Sequence, residues 1–485
     1  MKQSGVFLFL LVVFLAILGI WYVFPADGVR VGDSTTLRFI SFEQSLKDAL
    51  DTSSVDVDSV LVRDRMKETL MTQSGDSLSM FHKYLTSGTN RISLPNDDFR
   101  YFDSLFVALD SSSVDGRVVR IMHYGDSQLE MDRISSVLRQ KFQERFGGCG
   151  PGMVPLLQKI ASTSVTLSHS GHMARFSRMP DSLSRKDPRH RYGIMTQFAS
   201  VYESGTFSFR EANNRYCQPL AKRVKKVSMI KSDRDSVPFR IKVMGECKGD
   251  PEGTVEATEG NLSIVSWSFE DSVSTASFKF TGNGDIYGIM LDGEHGVTVD
   301  NVALRGSSGN IFTDIDTLNM GSLFSLAGHR LILLEFGGNA MPGITSHKGI
   351  SYYMDGMVKQ FDYFRKVAPD ARILFIGPAD MSKSVGGRLG TWPLLPDLVD
   401  SLRTRCLEND VAFWDTFKMM GGEGSMVQWV KHNPPLAGPD YIHFTTRGSQ
   451  EVGGALSGAL MTLYDFYRFR KTHPEELVEE CFTTL

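Results

Sequence analysis

The sequence predicts an α/β protein whose mostly parallel sheet is interrupted by a long β-rich insertion and preceded by an apolar helix. Three observations carry this. Apolar, β-branched runs alternate with amphipathic helical stretches on both sides of the middle of the chain. Between about Ser162 and Glu294 the pattern changes to short alternating runs separated by Gly, Asp, Asn and Ser. The N-terminus carries an uncharged run from Val6 to Phe24. With 485 residues the chain exceeds what one hydrophobic core holds, so two folded parts are expected.

The run Val6 to Phe24 makes about 19 residues of helix, roughly 28 Å, enough to span a bilayer. A cleaved signal peptide is the competing reading, but Phe24-Pro25-Ala26 is a poor small-x-small cleavage site. Residues 1–26 are therefore expected to be an uncleaved membrane anchor. Lys2 precedes the run and favours an N-terminus inside, with the rest of the chain outside the cytoplasm. Residues 27–113 read as a linker and helical cap, with amphipathic stretches at Phe42 to Leu50 and Val60 to Leu70.

The first core strand is expected at Val118 to Tyr124, a buried run ending at Gly125-Asp126-Ser127, followed by a helix over Arg133 to Phe146. These lie in a first catalytic segment, 114–158. The insertion, 159–295, has the pattern of a β-sandwich. Strand and helix alternation resumes over 296–470. Strands are expected at Gly296 to Val302, Leu331 to Phe336, Arg372 to Ile376 and Val411 to Trp414, and helices near Tyr353 to Val367, Leu394 to Asn409 and Gly448 to Tyr467. Residues 471–485 read as a tail.

A 41% hydrophobic and 22% charged composition is that of a globular protein, and a net charge of −4 gives no reason to invoke nucleic acid. Five scattered cysteines form no CxxC or Cys/His spacing, so no metal site is expected; Cys217 and Cys247 are left as either a disulfide or independent thiols. Gly282-Asn283-Gly284 and Gly147 to Gly152 miss phosphate-loop and dinucleotide spacing, so neither nucleotide nor other cofactor is expected. The basic run Lys222 to Lys226 reads as a solvated edge strand, and His123 and Tyr124 as core.

A serine directly after a buried strand and a glycine, and before a helix, sits at the carboxyl edge of a parallel sheet, where such folds bind ligands. Ser127 is thus a candidate nucleophile. Asp440 and His443 stand three residues apart, close enough for the carboxylate to fix the imidazole tautomer while the ring takes the serine proton; a capping Asp and a surface His are the bland reading. Gly337-Gly338-Asn339 follows the strand Leu331 to Phe336, and Gly306 ends another strand. With the Ser127 amide, Gly306 and Asn339 supply donors for a tetrahedral oxyanion.

In order, Gly125-Asp126-Ser127, Gly306, Gly337-Gly338-Asn339 and Asp440-x-x-His443 resemble the four blocks of the SGNH (GDSL-type) hydrolase family. The resemblance implies a flavodoxin-like three-layer domain, a triad of Ser127, His443 and Asp440, and an oxyanion hole of Ser127, Gly306 and Asn339. His123 to Gln128, Phe146-Gly147-Gly148-Cys149-Gly150-Pro151-Gly152 and the inserted β region are similar to the peptidoglycan O-acetylesterase branch, where the insert resembles a carbohydrate-binding jelly roll. Ala340, in place of the acidic residue that often follows the block-three asparagine, and Cys149, within the glycine-rich run, depart from that pattern. The expectation is a serine esterase removing O-acetyl groups from envelope glycans, held on the inner membrane and facing the periplasm. An O-acyltransferase and a non-catalytic glycan-binding protein are the alternatives.

Overall fold

A computed structural model describes residues 3–23, 29–31, 35–37 and 57–484. The amphipathic stretch Phe42 to Leu50 lies outside them. The chain forms two compact units, Met1–Ser79 with Glu475–Leu485, and Met80–Pro474.

The first unit holds helices at Gln3–Val23 and Glu475–Thr484 and most of Val57–Ser87. Arg63 and Lys67 pair with Glu480 at 3.1 and 2.7 Å. Helix Gln3–Val23 is 21 residues long with no charged residue in its terminal turns, and Leu8, Phe9, Leu10, Phe14 and Leu15 are exposed. The side chains of Val6, Phe7 and Trp21 are not among those described. Over the residues that are, no helix is long and apolar enough to cross a membrane.

The second unit is built on a six-stranded sheet. Its strands are β1 (Ile92–Ser93), β2 (Val118–Gly125), β3 (Gly296–Ala303), β4 (His329–Glu335), β5 (Arg372–Ile376) and β6 (Ala412–Trp414), in the spatial order β3-β2-β4-β5-β6-β1. All neighbours are parallel except β1, which runs antiparallel to β6. Leaving out β1, this is the doubly wound flavodoxin-like order, with its topological switch between β2 and β4. Ile121, Met122, Ile332, Leu333, Leu374 and Phe375 are fully buried because helices cover both faces. The expected strands agree with these to within two residues. Two helices run longer, to His347–Val367 and Thr446–Thr472, and two slightly shorter, Ser135–Phe146 and Leu395–Glu408.

The insertion forms a second, ten-stranded sheet that does not extend the first. It is one continuous sheet folded on itself rather than two separate ones. Strands Leu262–Val273 and Thr275–Thr281 lie four strand spacings apart in the sheet order, about 19 Å if the sheet were flat. Yet the rings of Trp267 and Phe278, on those strands, are 5.0 Å apart. The sheet begins earlier than 159, since Gly152–Val154 already pairs with Gly284–Asp292.

Its entry and exit cross closely: Val297 N–H donates to the Gly147 carbonyl at 3.0 Å, and a Cβ on Gly150 would meet the Leu291 oxygen at 2.1 Å. This explains the glycine run at 147–152 as a backbone crossing. Met153, Ile264 and Tyr287 of this sheet share one apolar cluster with Tyr124 and Ile332 of the other and with Phe361 of helix His347–Val367.

One expectation is corrected and one open alternative is resolved. The basic run does not lie on an edge: Val224–Asp233 pairs with Gly284–Asp292 on one side and Leu262–Val273 on the other. Its lysines turn outward, Lys226 pairing with Glu256 at 2.6 Å and Lys225 donating to the Glu270 carbonyl at 2.7 Å. Cys217 and Cys247 are free thiols.

Candidate active site

The turn after β2 opens with Asp126, whose carboxylate accepts from Gln128 N–H at 2.9 Å and so caps the one-turn helix Ser127–Asp132. A side chain on Gly125 would strike Leu129 at 2.7 Å, so this turn can only be made tight with glycine there. The result places Ser127 above the carboxyl edge of the sheet at the switch point, partly exposed.

From the other end of the chain comes the segment between helices Ser425–Lys431 and Thr446–Thr472. His443 Nε2 lies 2.8 Å from Ser127 Oγ, and Asp440 Oδ2 lies 2.7 Å from His443 Nδ1. Asp440 Oδ1 also accepts from the Ile442 and His443 amides at 3.0 and 3.1 Å. Burial alone would push the Asp440 carboxyl up, but the bonds from the His443 ring and from these two amides outweigh it and hold it below its ordinary value. An ionised Asp440 fixes Nδ1 as the protonated nitrogen and leaves Nε2 to accept from the serine. Thr445 then caps the next helix through the Gly448 amide at 3.2 Å, as expected for a threonine there.

Asn339 follows β4 and reaches the same edge. Its Nδ2 donates to Asp126 Oδ2 at 2.9 Å and to the Ser307 carbonyl at 3.2 Å, so both amide hydrogens are engaged within the protein. Gly306, in the left-handed region at φ 77°, lies in the loop after β3. Its neighbour Arg305 forms a two-pronged ion pair with Glu130, which steadies that loop against the Ser127 turn. All five residues singled out in the sequence are thus on elements that meet at one edge of the sheet.

Ser127, His443, Asn339 and Asp126 border a cavity of about 150 Å³, closed by Glu335, Met381 and Trp392. A larger cavity, about 260 Å³, lies beyond the Glu130–Arg305 pair and is bordered by Arg175, Asp181 and Met195 of the inserted region. The reactive pair faces the smaller one.

Sequence reasoning assigned no role to several of these groups. Asp126 is pushed up to about 7, first by burial and then by the nearby Glu335 charge, against the pull of its hydrogen bonds. Glu335 ends an apolar strand, itself a signal for a placed carboxylate, and meets His123 Nε2 at 3.2 Å. His123 Nδ1 lies 2.9 Å from Ser135 Oγ. This second Ser-His-carboxylate chain is sealed: Ser135 and His123 are both 0% exposed, so no substrate reaches that hydroxyl and the chain props Glu335.

A flavodoxin-like sheet with a Ser-His-Asp arrangement at its switch point is what the sequence resemblance to the SGNH hydrolases implies. The solved structure described as "Peptidoglycan O-acetylesterase in action, 5 min" is similar in fold: the match covers 75% of this chain and 96% of that one, at 20% identity and a TM-score of 0.58. Matches to an acetyl xylan esterase (15% identity, 34% of this chain and 81% of that one, TM-score 0.26) and to a family two carbohydrate esterase from Cellvibrio japonicus (11%, 62% and 99%, 0.25) are far looser. No family model matches the chain. No curated protein matches it either.

Proposed function

We propose that the chain is a serine esterase that removes O-acetyl groups from a cell-envelope glycan such as peptidoglycan. The observation that carries this is the relay Ser127 Oγ···His443 Nε2 and His443 Nδ1···Asp440 Oδ2, at 2.8 and 2.7 Å, opening on a small cavity.

Ser127 Oγ attacks the ester carbonyl and its proton passes to His443 Nε2. The tetrahedral oxyanion forms beside the Ser127 and Gly306 amides and Asn339. It collapses by breaking the C–O bond to the sugar, whose oxygen takes the proton from His443. Water, giving a proton to His443, then attacks the acetyl-serine; the acyl–Oγ bond breaks, Ser127 Oγ takes that proton back from His443, and acetate leaves. The His443 side chain is 41% exposed, which gives water access for that second half.

A cavity of about 150 Å³ suits a short acyl group. The likeness in fold to a peptidoglycan O-acetylesterase supports the choice of glycan. On this reading the folded β insertion is a jelly-roll-like module contacting the polymer, and helix Gln3–Val23 anchors the enzyme in the inner membrane with its site in the periplasm.

The test is acetate release from O-acetylated peptidoglycan by the full-length protein in detergent, beside Ser127→Ala. Wild-type release that the substitution abolishes supports the reading. Turnover of a small aryl acetate with none of the polymer would remove the glycan from it.

A further inference from the structure

We propose that Gln128 is a positioning residue that holds His443 in line with Ser127; this rests on the esterase reading above. Its side chain reaches across to the histidine segment and grips the backbone on both sides of His443. Nε2 donates to the Ile442 carbonyl at 2.8 Å, and Oε1 accepts from the Phe444 N–H at 3.1 Å. One amide, on the residue next to the nucleophile, therefore sets the distance between nucleophile and base.

The segment needs such a clamp. Tyr441, between Asp440 and His443, is held in the left-handed region at φ 58°, where a non-glycine residue is strained and persists only if its surroundings over-determine it. Around it, Gly438 N–H donates to the His443 carbonyl at 2.8 Å and Ser382 N–H to the Tyr441 carbonyl at 3.0 Å. These bonds shape the turn. Among the described residues, besides the His443–Ser127 contact itself, Gln128 and Arg133 tie it to the serine side, Arg133 donating to the Phe444 carbonyl at 3.0 Å and more loosely to the Ser127 carbonyl at 3.4 Å.

Of the two, Gln128 alone brackets His443, because an amide offers a donor and an acceptor in one plane whereas a guanidinium only donates. Methionine has nearly the same length and neither group. Glutamate keeps the acceptor for Phe444 and loses the donor to Ile442.

A positional shift of about 1 Å costs up to ~100-fold in rate. The full-length protein is titrated with a p-nitrophenyl alkylphosphonate, which releases one p-nitrophenol per active serine. The amplitude counts folded sites and the rate reads how well His443 activates Ser127. For Gln128→Met the amplitude stays at one per chain and the rate falls about 30- to 100-fold, with KM for an aryl acetate within about twofold; Gln128→Glu falls between Met and wild type.

A wild-type rate per titratable site, whatever the amplitude, overturns the proposal, because Gln128 then only supports folding. If Gln128→Met yields no titratable site, Gln128→Glu decides by the same criterion. Ser127→Ala separates the two layers: p-nitrophenol release at the wild-type rate from that variant would refute the nucleophile assignment itself, independently of Gln128.

Discussion

Asp126 Oδ2 accepts a hydrogen bond from Asn339 Nδ2 at 2.9 Å, so the carboxylate next to the candidate nucleophile in the chain holds the candidate oxyanion donor at the same cavity. Without substrate the Asn339 amide is occupied, by Asp126 and by Ser307. An arriving ester oxygen takes over one of these hydrogens, and it does so most profitably when it bears the negative charge of the transition state.

Asn339→Ala is accordingly expected to lower kcat by about 10²–10³, with KM little changed. It also strips a partner from a buried carboxylate, so the melting temperature falls. Measuring kcat on purified folded protein separates the two effects. An unchanged kcat would leave Asn339 a purely structural role.

The second prediction concerns pH. The folded value of Asp126, about 7, lies above its ordinary 3.8. Below the ordinary value both folded and unfolded chains are protonated there and the group contributes nothing. As pH rises toward 7 the unfolded chain releases the proton while the folded chain retains it, so stability falls; above about 7 the loss is complete. Asp126→Asn removes this term. Its stability relative to wild type rises steadily from pH 4 to 7 and is flat above, on top of a constant offset from the lost acceptor. Melting curves at several pH values check the slope; a difference that does not vary with pH would contradict it.

Much of this site was legible because its elements are local. Parallel strands covered on both faces are continuous apolar runs, and Asp440 and His443 are three residues apart. The three-residue strand Gly152–Val154 is too short to show a period. That Val224–Asp233 is interior depends on partners far along the chain. Gln128 escaped for the same reason, since its partners Ile442 and Phe444 lie more than three hundred positions away.

The third prediction follows from the shared apolar cluster. Trp267 is 1% exposed and its ring abuts Phe278. Trp267→Ala should cost about 3–5 kcal/mol. Because Tyr287 and Ile264 pack in one cluster with Tyr124 and Ile332, the residues Met80–Pro474 should still melt in one transition, at lower temperature. Calorimetry showing a separate early transition, with the remainder at the wild-type position, would mean that the inserted sheet is an independent module.

The fourth prediction concerns the N-terminal helix. Cells expressing the full chain should retain it in the membrane fraction through high-salt and alkaline washes, as expected for about 20 apolar residues. Recovery as a soluble protein processed after Ala26 would make the helix a removed signal.

The central claim is that Ser127 carries the acetyl group between the glycan and water. Its most direct measurement is mass spectrometry of the protein acid-quenched during turnover of O-acetylated peptidoglycan, alongside acetate release by Ser127→Ala. The account predicts an added acetyl group on the peptide containing Ser127 in the wild type. It predicts neither adduct nor acetate above background in the variant. Acetate release by Ser127→Ala at the wild-type rate would contradict it.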